Sequence, residues 1–128
     1  MNFKEVFFGL IERNQTLKNA LAEIRASKPK LKDLLSSEKL RVFFRKLACF
    51  LVAVRDTYCK EKGITEDELV EMAAEYLDKK IELSWFLEPF DGIIFRIVLR
   101  NLMATLEHMT EMQTELAAIR ADLSTQYA

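Results

Sequence analysis

Apolar residues recur every seven positions at both ends of this 128-residue chain, and that repeat limits its folds more than any other feature. Near the start Phe3, Leu10, Leu17 and Ile24 mark the period, with Phe7 and Leu21 beside them. Near the end Leu102, Met109, Leu116 and Leu123 mark it again, flanked by Leu106, Met112 and Ile119. Such spacing lays one apolar stripe along an α-helix and is incompatible with the alternation of a strand. With only three glycines and two prolines, there are few points at which helices can end. The expectation is an all-α bundle of about four main helices in a single domain spanning 1–128.

The punctuation places those helices. The first is predicted over 3–26, with Asn14 interrupting the apolar stripe as a register or edge residue. Lys28 precedes Pro29 in SKPKLKD, so 28–36 reads as a linker. Ser36 or Ser37 can cap a second helix running to about Lys62, where Gly63 supplies the stop. Thr65-Glu66-Asp67-Glu68 is a capping box that opens a third helix, continuing to about Lys80. ELSWFLEPF at 82–90 reads as an aromatic connector. Asp91 caps a last helix predicted to run unbroken from Gly92 to about Ser124, about 50 Å at 1.5 Å per residue. A stripe that long needs a long partner: the first helix, or a second copy of the chain in a homodimer.

The formal net charge of −1 hides a strong asymmetry. Arg25 to Lys46 holds eight basic residues against two acidic, whereas Glu61 to Asp91 holds ten acidic against three basic. On the third helix Asp67, Glu68, Glu71, Glu75 and Asp78 share one stripe opposite Leu69, Met72, Ala73, Tyr76 and Leu77. Like charges three and four residues apart repel, so the stripe calls for cations from elsewhere. Arg41 and Arg45, or the lysines at 28–32, are the expected source. The second helix is apolar almost all round from Leu40 to Tyr58, the mark of a central or interface helix.

Function is expected to be binding to a protein partner, as an adaptor, assembly subunit, inhibitor or chaperone-like module. The candidate contact residues are Asp67, Glu68, Glu71, Glu75 and Asp78 with Trp85, Phe86 and Phe90 of the connector. An alternative is a nucleic acid or anionic membrane met by Lys28, Lys30, Lys32, Lys39, Arg41, Arg45 and Lys46. Against it, the aromatics near these cations fall on the apolar face rather than between the charges.

Enzymatic readings find little purchase, and no catalytic residue, metal or cofactor is expected. His108 is the only histidine. A small helical bundle with one histidine resembles histidine-phosphotransfer domains, in which a lysine and a glycine follow three and four residues on. Glu111 and Met112 stand there instead, replacing a cation by an anion and a close-approach residue by a bulky one. One histidine also cannot furnish the paired Glu-x-x-His motifs of a di-iron bundle, although His108, Glu111 and Glu115 share a face. Glu68-x-x-Glu71 followed by Glu88-x-x-Asp91 resembles the magnesium-binding motifs of MazG-like nucleotide pyrophosphohydrolases. That resemblance implies a magnesium-dependent hydrolase, but about a dozen helical residues put roughly 20 Å between the two pairs, and Pro89 lies inside the second.

Cys49 and Cys59 are ten residues apart on one predicted helix, about 15 Å along its axis and beyond disulfide reach. The longest apolar run, ACFLVAV at 48–54, is far short of a membrane span. With no export pattern in the first residues, a reduced, soluble, cytoplasmic protein is expected.

Overall fold

A computed structural model of the chain describes residues 2–27, 37–81, 91–106 and 108–127. All regular structure among them is helical: α1 (Phe3–Arg13), α2 (Gln15–Ser27), α3 (Glu38–Val54), a π-helical turn (Arg55–Cys59), the short α4 (Lys60–Lys62), α5 (Glu66–Ile81), α6 (Asp91–Leu106) and α7 (Thr110–Tyr127). The expected all-α bundle is the observed architecture. The expected linker at 28–36 and connector at 82–90 lie outside the described residues.

The centre of the bundle is α3. The Ser37 hydroxyl accepts a hydrogen bond from the Leu40 N–H at 3.2 Å, closing the helix start. From Leu47 to Val54 every residue is buried, so this stretch faces protein on all sides. Against it pack α2, α6 and α7. Aromatic pairs tie further helices in: Phe50 meets Phe7 of α1 with ring centroids 6.1 Å apart, and Phe44 meets Phe95 of α6 at 5.4 Å. Phe8 of α1 stands edge-on to Tyr76 of α5 at 5.3 Å. Gly63, at φ 68°, turns the chain out of α4 in the left-handed conformation that glycine adopts without strain. The capping box then opens α5 as expected, with the Glu68 N–H donating to Thr65 Oγ1 and the Thr65 N–H to Glu68 Oε1.

Two helices expected to be continuous are broken. The first ends at Arg13, because Asn14 takes an extended backbone (ψ 98°) and its Oδ1 accepts from the Leu17 N–H at 2.9 Å. Asn14 is therefore a cap between two helices, not a polar residue within one. The break lets α1 lie against α5 while α2 lies against α3. The last helix is broken between Leu106 and Thr110. A straight helix there would overrun α3, which at 17 residues is about 25 Å long. Bent, both halves reach α3, and Phe95, Leu99, Met103, Leu106, Met112, Leu116 and Leu123 are all buried in the chain's own core. The seven-residue stripe that called for a long partner is covered from within.

Two substitutions separate core from cap. Phe50→Ala removes a ring 1 % exposed that packs on Phe7 of α1, and is expected to lower unfolding free energy by about 3–5 kcal/mol. Asn14→Ala is expected to cost about 1 kcal/mol. Denaturant titration followed by circular dichroism measures both.

Candidate functional site

The outer face of α6 is the most unusual surface among the described residues. Its inward face carries Phe95, Leu99, Met103 and Leu106, all buried. At 100° per residue, Ile93, Ile94 and Ile97 fall on the opposite side. They are 58 %, 46 % and 51 % exposed. Isolated exposed apolar residues are ordinary, but three isoleucines grouped on one helical face are not.

Ion pairs border this face. Arg96 binds the Glu71 carboxylate, donating from one terminal nitrogen at 3.0 Å, and Arg100 meets Asp67 at 2.6 Å. Lys4 of α1 meets Glu75 at 3.0 Å. The acidic stripe of α5 thus takes cations from α6 and α1: Arg100, Arg96 and Lys4. These add to whatever the expected Arg41, Arg45 and the lysines at 28–32, the last outside the described residues, contribute. Both arginines of α6 lie more than twenty residues along the chain from their carboxylates. Only the packing of α5 on α6 brings them together. These pairs are largely exposed, so each contributes little to stability, on the order of 1 kcal/mol or less.

The remaining expected contact residues are scattered. Glu68 is engaged by Thr65 at the helix start. Asp78 falls within α5, and its side chain lies outside the described residues, as do Trp85, Phe86 and Phe90 entirely. Of the basic set, Lys39 pairs with Glu23 of α2 at 3.1 Å and Lys46 with Glu115 of α7 at 2.9 Å. Arg41 and Arg45 are exposed on α3. Lys28, Lys30 and Lys32 lie outside the described residues. Lys39 and Lys46 are thus directed to carboxylates on two different helices.

A second polar cluster escaped the sequence reading. The π-helical turn presents Asp56 to two guanidiniums, Arg55 at 3.0 Å and Arg120 of α7 at 2.5 Å. Arg55 also reaches Glu66 at 3.1 Å, and the Tyr58 hydroxyl donates to the Leu123 carbonyl at 3.0 Å. The only forewarning in the sequence is the change from apolar to polar residues at Arg55. Beside α7 opens a cleft of about 460 Å³, lined in part by Arg13, Asn14, Lys46, Glu115, Ile119 and Asp122.

His108 lies exposed in the turn between α6 and α7, not on a helix, with its N–H donating to the Thr105 carbonyl. Glu68 and Glu71 are engaged by Thr65 and Arg96, while Glu88 lies outside the described residues. Among the described residues, no three His, Cys, Asp or Glu side chains are grouped to hold a metal ion. Both cysteines are free and buried. Burial pushes each thiol up to about 11, with the Glu115 carboxylate adding to the effect at Cys49. Tyr76 is raised well above the ordinary tyrosine range by burial and by its hydrogen bond to Glu12.

Compared with known proteins, the chain matches no family model, no curated protein and no solved structure.

The thiol environment fixes an alkaline limit to stability. An unfolded thiol loses its proton near 9.0 and the folded ones near 11, so the folded state holds protons that the unfolded chain has released. Stability is therefore expected to hold below about pH 9 and to fall from there toward about pH 11. Urea midpoints measured across that range check this, and Cys49→Ala with Cys59→Ala should make the decline shallower.

Proposed function

We propose that the chain is a non-enzymatic protein–protein interaction module. The exposed isoleucine face of α6 carries the reading, since leaving Ile93, Ile94 and Ile97 half in water forgoes favourable burial that a partner's apolar surface restores. The face is one helical stripe wide, which suits an amphipathic helix of the partner lying alongside it. Arg100 and Asp67, exposed on one flank, supply polar contacts at the rim. The acidic residues of α5 then act as this rim rather than as a separate docking stripe. Within this reading the module serves as an adaptor, assembly subunit, inhibitor or chaperone-like protein, and forms a homodimer.

No helix among the described residues is long and apolar enough to cross a membrane. Two free, buried thiols suit a reducing compartment such as the cytoplasm.

Ile97→Lys tests the proposal. Because Ile97 is half exposed in the free protein, the variant should keep its helicity and unfold within about 0.5 kcal/mol of the parent. Proteins that copurify with the parent and crosslink to α6 should be lost from Ile97→Lys. Equal recovery of the same crosslinked partners by both proteins would sink the reading.

A further inference from the structure

The break between α6 and α7 has no local cause in the sequence. From Ile93 to Tyr127 there is neither glycine nor proline, and Leu102, Met109, Leu116 and Leu123 keep one seven-residue register straight across the break. Among the described residues its turn carries short-range backbone bonds: the His108 backbone N–H to the Thr105 carbonyl at 3.1 Å, Met109 to Leu106 at 3.2 Å and Met112 to Met109 at 3.1 Å. A continuous helix would replace these with its own ladder at no propensity penalty of note. Bent at this point, the chain docks α7 on α3.

That docking is chiefly on one surface. The chief partners of α7 are α3 and the π-helical turn. Met112, Leu116 and Leu123 supply the apolar contact. Lys46–Glu115, Asp56–Arg120 and the Tyr58 hydroxyl bond to the Leu123 carbonyl supply the polar contacts. The Lys46–Glu115 pair also borders the open cleft of about 460 Å³ that runs beside α7. Every one of these contacts can be made equally by the α7 of another molecule.

We propose that α7 is exchangeable: the groove formed by α3 and the π-helical turn also accepts the α7 of a second copy of this chain. In the exchanged dimer residues 91–127 straighten into one helix of about 55 Å, and each copy delivers its α7 to the other. The contacts are those of the single chain, remade between chains. The balance is set by helix gained at the break against freedom lost on association, so the dimer grows with concentration. Exchange of α7 supplies a route to the homodimer and leaves the isoleucine face of α6 unused.

A charge swap across the Lys46–Glu115 pair tests it. Lys46→Glu and Glu115→Lys each set like charges against one another within a single chain. Unfolded together and refolded as an equimolar mixture, the two variants regain opposite charges in both grooves only by exchanging α7. The expected result is a mixed dimer by native mass spectrometry that melts above either variant alone. Two separate monomers, each melting as its parent does, would overturn the proposal.

Thr110→Pro in the otherwise unaltered chain gives a second readout. Proline fits the first residue of α7 but not the interior of a continuous helix. The monomer should stay folded, and dimerisation should weaken by about a hundredfold per chain. Unchanged dimerisation of Thr110→Pro by light scattering refutes exchange. So does a dimer abolished by Ile97→Lys but showing no charge-swap recovery, an outcome that leaves the α6 interaction reading standing.

Discussion

Everything in this fold depends on the burial of α3 from Leu47 to Val54. Helices normally bury one stripe and show water the other. Here eight successive residues are covered, so no single neighbour suffices, and α2, α6 and α7 are drawn around one axis. The aromatic pairs Phe50–Phe7 and Phe44–Phe95 extend the same core outward to α1 and α6. Charged residues are excluded from the interior among the described residues, and their ion pairs sit at the edges where helices meet.

The two breaks follow from that demand. A chain of long uninterrupted helices cannot wrap a central helix about 25 Å long, because each would pass its end with an apolar stripe uncovered. Asn14 solves this at one place with a side-chain cap. Between Leu106 and Thr110 no residue type enforces the bend. There the energy comes from what the bend allows, the burial of Met112, Leu116 and Leu123. The first break carries a local side-chain cap; the second accompanies the tertiary contact of α7 with α3.

Much of the architecture was legible from residues alone. Ser37 and Thr65 with Glu68 marked helix starts correctly because N-caps act through bonds three residues away, and Gly63 marked an end through its left-handed backbone. The apolar girth of α3 announced a central helix for the same local reason. The candidate site was less legible. The α5 stripe and its need for cations could be read, but its partners could not: Arg96 and Arg100 reach Glu71 and Asp67 only through helix packing. Nor could the isoleucine face be told from a core face. Ile93 and Ile97 lie on a helix apolar on both sides, and spacing does not say which side faces inward.

The sequence by itself therefore determined the helical class, most helix ends and the identity of the central helix. These depend on spacing, capping and residue type, all properties of neighbours in the chain. Only the tertiary structure decided that the C-terminal stripe is covered from within, that α6 turns three isoleucines outward and that Arg120 meets Asp56 across 64 residues. Those outcomes depend on how several amphipathic helices compete for one core. Such a competition is settled by the geometry of all of them at once, not by the pattern of any one.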